Sequence, residues 1–174
     1  GDTVEAVAID PVVFEPGSAS LTADTQKQLQ RVADVLRASP QIKLALQPVV
    51  GERDLAALRA RAATARIQRV QREEKLAELS EAAVRAFKAT YPERPVPKIT
   101  EEIVAALAER ETVGDEERSS LIARRLEAAR QALLDGAGVE AERLLAAPPS
   151  AGSTITTDSR PGEGRIEFDL RPSS

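Results

Sequence analysis

The 174-residue chain is 42% hydrophobic and 30% charged, with 24 Lys/Arg against 28 Asp/Glu, the composition of one globular domain or of one domain carrying a large insertion. It holds no His, Cys, Met or Trp, which excludes Ser-His-Asp and Cys-His catalysis, ordinary zinc sites, haem ligation, thiol redox and a disulfide framework. The formal net charge of −4 argues against a sequence-independent nucleic-acid binder, and no apolar run approaches the ~20 residues that span a bilayer.

Residues 4–14 are β-rich with partial alternation, so a strand with Pro11 near its end is expected. Glu15-Pro16-Gly17-Ser18 is turn chemistry. Thr22 is the expected N-cap of a helix whose apolar face is Leu29, Val32, Ala33 and Leu36. That helix should end near Ser39, because Pro40 disfavours helical backbone at the residue before it. Ile42, Leu44 and Leu46 alternate cleanly with polar neighbours and predict a strand closed by Pro48 and Gly51. From Asp54 to about Lys88 the residues are almost all helix formers. Leu55, Leu58, Ala62, Ala65, Leu76, Leu79 and Ala83 form a heptad-like ladder that Arg69 and Arg72 interrupt, which predicts one long helix packed on local partners.

Tyr91 to Pro97, with prolines at 92, 95 and 97, reads as a stiff extended connector. Thr100 is the expected cap of a helix with Glu101 and Glu102 in its first turn and Ile103, Val104 and Leu107 on its apolar face. Asp115 should cap a further helix running to about Asp135, stopped by Gly136-Ala137-Gly138. Arg143 to Ala146 predicts a short strand, Pro148 to Gly164 a mobile loop, and Ile166, Phe168 and Leu170 a final alternating strand. Strands and helices in this order indicate an α+β fold, with a core that must be aliphatic because Phe14, Phe87, Tyr91 and Phe168 are the only aromatic residues. The chain opens without Met and without a basic segment leading into an apolar one; Gly1 reads as a processing or cloning remnant, and the chain as a piece of a longer protein.

Phe14-Glu15-Pro16-Gly17-Ser18-Ala19-Ser20-Leu21-Thr22, followed by a helix and the strand of Ile42 to Leu46, resembles the opening of OmpA-like domains. Leu121-Ile122-Ala123-Arg124-Arg125-Leu126, continuing to Gly138-Val139 and Arg143-Leu144, is similar to the second helix of that family and its lead into the next strand. Gly164-Arg165-Ile166-Glu167-Phe168 is similar to the closing strand. The resemblance implies a β-α-β-α-β sandwich with a mixed sheet, its halves at residues 1–53 and 115–174, and a helical insertion at 54–114 between strand 2 and the second core helix. This arrangement most resembles the C-terminal region of large AsmA-like envelope proteins of unknown function.

OmpA-like domains bind the diaminopimelate of peptidoglycan. The resemblance therefore implies an Asp after the second strand to receive the ligand ammonium and an Arg on the second helix to grip its carboxylate. Arg125 matches the helix position. After Leu46 the chain reads Gln47-Pro48-Val49-Val50-Gly51 where the family carries a Gly-x-Thr-Asp step, and Asp54, several residues later, is the nearest acid. Leu55-Ala56-Ala57-Leu58-Arg59-Ala60 also spells Leu-x-x-x-Arg-Ala, so Arg59 competes with Arg125 for the role.

Other constellations have plainer readings. Glu73-Glu74, Glu101-Glu102 and Glu116-Glu117 are adjacent on helices and do not face one another, and two of these pairs complement helix starts. Arg59, Arg61, Arg66, Arg69 and Arg72 form either a solvated face with pairs such as Arg69 to Glu73 or a basic face for phosphate or lipid head groups. Ser150 to Ser159 reads as a disordered stretch. Gly136-x-Gly138 follows a helix and so is no phosphate loop.

The expectation is a non-catalytic docking or anchoring module of a larger AsmA-like protein concerned with envelope integrity or lipid traffic. By resemblance it lies in the periplasm, with a protein partner in the envelope, no nucleic acid, no metal and no cofactor. The alternative is a peptidoglycan anchor using Asp54 with Arg125 or Arg59.

Overall fold

The structure is a computed structural model and describes residues 9–147 and 162–173. Among these the order is β1 (Val12–Val13), α1 (Ala23–Ala38), β2 (Ile42–Val49), α2 (Glu52–Glu73), α3 (Leu79–Thr90), α4 (Thr100–Ala108), α5 (Asp115–Gln131), β3 (Leu144–Ala146) and β4 (Arg165–Pro172). The fold is α+β, with a four-stranded mixed sheet in the order β1-β4-β2-β3. β4 runs antiparallel to both β1 and β2, and β2 is parallel to β3.

The chain divides into two compact units, residues 1–54 with 115–174, and residues 55–114. The first holds the sheet with α1 and α5. Leu29, Val32, Ala33 and Leu36 of α1 share one core with Ala129 and Leu133, with Leu44 and Leu46 of β2, and with Val12, Phe14, Leu144 and Ile166. α1 begins where Thr22 Oγ1 accepts from the Thr25 N–H at 3.2 Å, the sequence-predicted cap. Its other end is closed from a distance: Arg143 donates to the Leu36, Ser39 and Ile42 carbonyls, placing a cation where the helix leaves carbonyls unpaired.

Several expected boundaries move. Strand β1 is two residues long among the described residues, and the expected strand start at Val4 lies outside them. β2 does not close at Pro48 but runs through it to Val49. Among the described residues β3 pairs only as far as Ala146, opposite Leu46, so Pro48 has no described ladder partner on that side that would need its missing N–H. At the C-terminal side, α5 gives way at Ala132 to a wider π turn through Gly136, and Gly138, at φ 72°, lets Val139 N–H reach the Leu133 carbonyl. The loop expected at Pro148 to Gly164 lies mostly outside the described residues, as do Ser150 to Ser159 entirely.

The second unit corrects the single long helix expected over 54–88. α2 stops at Glu73 and the chain turns before α3. Lys75 adopts φ 54°, and Leu76 N–H bonds the Gln71 carbonyl, the six-to-one closure of a helix end with lysine where glycine is usual. The turn lets Ala82, Ala83, Ala86 and Phe87 of α3 share a core with Ala63 and Ile67 of α2 and with Ile103 and Leu107 of α4. That apolar burial outweighs the helix propensity of the turn residues. Thr100 is the first helical residue of α4 and not its cap; Ile99 holds the cap position and makes no side-chain bond there. Asp115 likewise opens α5 as its first residue.

Candidate functional site

Asp54 and Arg125 stand 71 positions apart and meet in the first unit. Arg125 Nη1 donates to Asp54 Oδ2 at 2.7 Å and Nη2 to Oδ1 at 2.6 Å, a two-pronged pair. The side chains are 2% and 0% exposed.

Local structure places each partner. Asp54 lies in the first turn of α2, three residues after Gly51. Its Oδ2 accepts from the Gly51 N–H at 3.1 Å, so the acid reaches back to the residue before the helix. Oδ1 also accepts from the Gly17 N–H at 2.8 Å, across the turn between β1 and α1 where Gly17 sits at φ 67°. The carboxylate thus accepts four hydrogen bonds. Arg125 occupies the buried face of α5 between Leu121 and Ala129, one four-residue step from each. Its Nε donates to the Ser18 carbonyl at 2.8 Å and Nη2 also to the Glu15 carbonyl at 3.2 Å. Its guanidinium carbon lies 4.8 Å from the centroid of the Phe14 ring.

Two glycines make room for this arrangement. A Cβ on Gly164 would collide with Asp54 Oδ2 and Arg125 Nη1, and a Cβ on Gly51 would collide with the backbone of Gly162. The segment leading into β4 therefore lies directly on the pair, and Phe14 N–H bonds the Gly164 carbonyl at 3.0 Å.

Burial by itself raises the affinity of the Asp54 carboxyl for its proton. Hydrogen bonds from Arg125, Gly17 and Gly51, with the charge of Arg125, outweigh that effect and hold the carboxyl below its ordinary value. The carboxylate is ionised at neutral pH and saturated by partners of its own chain.

Arg59 does not join this pair. It lies half-exposed on α2 within the second unit, with no ion pair among the described residues. The Leu-x-x-x-Arg-Ala spelling at 55–60 is therefore no guide to which arginine meets the acid. β2 continues to Val49, and Gly51 and Asp54 follow it three residues apart. Phe14, Gly17, Gly51 and Gly164 were not singled out as site residues by sequence, although that glycine-to-acid spacing was a readable signal.

Beside the pair opens a cleft of about 410 Å³, lined by Pro11 to Pro16, the start of α1, Arg53, Glu163 and Gly164. Arg53 lies 3.6 Å from Glu163 and is 57% exposed. Among the described residues no three His, Cys, Asp or Glu side chains are gathered to hold a metal. No described helix is long and apolar enough to cross a membrane.

No family model matches the chain, and no curated protein matches it. Among solved structures it is similar to the peptidoglycan-associated lipoprotein from Burkholderia pseudomallei, at 16% identity and a TM-score of 0.47 over 93% of this chain and 90% of that one. It is also similar to the C-terminal domain of Helicobacter pylori MotB, at 14% identity and a TM-score of 0.48 over 95% and 88%. A longer periplasmic domain of H. pylori MotB gives 12% identity and a TM-score of 0.46 over 94% and 72%. At these scores the likeness assigns no residue and no ligand.

Proposed function

We propose that this chain is a non-catalytic anchoring module of the bacterial cell envelope, facing the periplasm, with an OmpA-like core and residues 55–114 as a helical insertion. We place it as part of a larger AsmA-like protein, where it serves envelope integrity or lipid traffic by holding a protein partner. The order of sequence features supports that setting.

The observation that carries the reading is the saturation of Asp54 and Arg125. A receptor for a charged ligand keeps donors and acceptors turned toward solvent. Here the carboxylate accepts four bonds and the guanidinium gives four of its five N–H groups to partners inside the fold. Separating such a buried pair costs about 3–5 kcal/mol. The pair acts as a keystone between α5, the first turn of α2 and the turn after β1, and anchoring falls to the protein's outer surfaces. Titration with a diaminopimelate-containing muropeptide, followed by NMR or calorimetry, is expected to give no saturable binding at millimolar ligand.

One observation favours a second reading, a peptidoglycan anchor. The acid and the base converge at a single point, and Phe14, Glu15 and Gly164 around them also line the cleft. A zwitterion entering there could exchange one internal ion pair for two, its carboxylate on Arg125 and its ammonium on Asp54. Saturable muropeptide binding that Asp54→Asn abolishes, in a variant still folded by NMR, would replace the first reading with this one.

A further inference from the structure

We propose that Tyr91, Arg94 and Arg110 form a binding site for a phosphate group in the second unit. The inference goes beyond the anchoring role and uses none of the residues at Asp54 and Arg125.

Three local features build the site. Tyr91 ends α3, where its N–H bonds the Phe87 carbonyl, and its ring packs on Phe87 with centroids 5.2 Å apart. The turn of Tyr91 to Arg94, closed by the Arg94 N–H to the Tyr91 carbonyl at 3.2 Å, folds Arg94 back so that its guanidinium carbon lies 4.3 Å from the Tyr91 ring centroid. The Tyr91 hydroxyl donates to the Ala106 carbonyl at 2.8 Å, fixing the ring beside the end of α4. Arg110, four residues further, lies 4.7 Å from the same centroid. Pro92, Pro95 and Pro97 stiffen the connector that carries Arg94.

Two like charges are thus held on one ring, and no carboxylate pairs with either among the described residues. Glu93 and Glu109 are their chain neighbours and form no ion pair with them, while Glu111 is taken by Arg66 at 2.7 Å. Both arginines are exposed, whereas the ring beneath them is 6% exposed. Contact with the ring restrains each guanidinium, so less freedom is lost when an anion arrives.

The number of donors selects the anion. One fork satisfies one carboxylate, whereas two forks suit a group with three or four oxygens and up to two negative charges. The surroundings agree in sign: residues 55–114 carry eleven Lys/Arg against nine Asp/Glu, while the whole chain carries 24 against 28. From Leu55 to Arg72 there are five arginines and no acid. The phosphate can belong to a soluble compound or to a lipid headgroup.

Tyr91 is the single tyrosine and there is no tryptophan, so tyrosine emission from the full chain reports this site alone. Titration with inorganic phosphate, at ionic strength held constant with chloride, should give a saturable change in that emission and a matching calorimetric isotherm. Arg94→Lys and Arg110→Lys keep the charge but lose the fork; each should raise the apparent Kd at least about tenfold with the melting curve unchanged. A second arm floats the protein with phosphatidylcholine vesicles with and without phosphatidic acid. Capture by phosphatidic acid that the lysine variants lose supports the site with a lipid source. Phosphate binding without vesicle capture supports it with a soluble source. No saturable response in either arm, or a response that both lysine variants retain, overturns the proposal.

Discussion

Arg125 in the first unit and Arg94 in the second both lay a guanidinium on an aromatic ring, at 4.8 Å from Phe14 and 4.3 Å from Tyr91. Their surroundings then diverge. Arg125 is buried, gripped by the Asp54 carboxylate and two backbone carbonyls. Arg94 is exposed, and Arg110 shares its ring in place of an acid. A buried guanidinium must have its charge matched inside the fold, since an unmatched one costs several kcal/mol. An exposed one is hydrated and can remain open to a partner from solution. The same side chain on the same kind of platform is a keystone in one unit and a receptor in the other, and burial makes the difference.

The most severe way to break the comparison is to take away the keystone's cation. Arg125→Met should cost about 3–5 kcal/mol in denaturant unfolding, because it leaves Asp54 charged and buried. Acid probes the same pair from the other side. The folded Asp54 carboxyl titrates below the ordinary aspartate value near 3.9, so its contribution is complete above that pH and is lost as pH falls through the lower folded value. Wild-type melting should show this acid limb, and Asp54→Asn should lack its share of it.

A milder blow is Gly164→Ala. The added Cβ meets both Asp54 and Arg125, and displacing β4 or the pair should cost about 1–3 kcal/mol with the charges unchanged. In the second unit the effects are smaller. Tyr91→Phe removes the bond to the Ala106 carbonyl and should lower protection by about 1 kcal/mol, read by hydrogen exchange at amides of α3 and α4. Arg94→Ala should cost only about 0.5–1 kcal/mol, the worth of an exposed cation on a ring. A loss at Arg94 as large as that at Arg125 would erase the distinction between keystone and receptor.

The elements legible from sequence were those with a local cause. Thr22 caps α1 because its hydroxyl serves an N–H three residues on, and β2 and β4 follow alternations that bury Leu44, Leu46 and Ile166. Less legible was the turn at Lys75. Its residues have ordinary helix propensity, and only the packing of Phe87 and its neighbours on Ala63 and Ile67 makes reversal favourable. The register of Asp54 against β2 is not legible either, because the local pattern ends that strand at Pro48 whereas it runs to Val49.

Sequence by itself determined the α+β class, the aliphatic core, the absence of histidine and cysteine chemistry, and the identities of the acid and of two competing arginines. Tertiary structure alone shows which of those arginines lies on the acid. Asp54 with Arg59 is a separation of five along one chain, and Asp54 with Arg125 one of 71. Sequence patterns report local spacing, whereas a buried charge is matched by whichever opposite charge the packing of other elements brings within hydrogen-bond reach. The same holds for Arg94 and Arg110, which lie sixteen residues apart and are joined because the packing of Tyr91 on Ile103 and Leu107, with its hydroxyl on the Ala106 carbonyl, sets one helix end beside another.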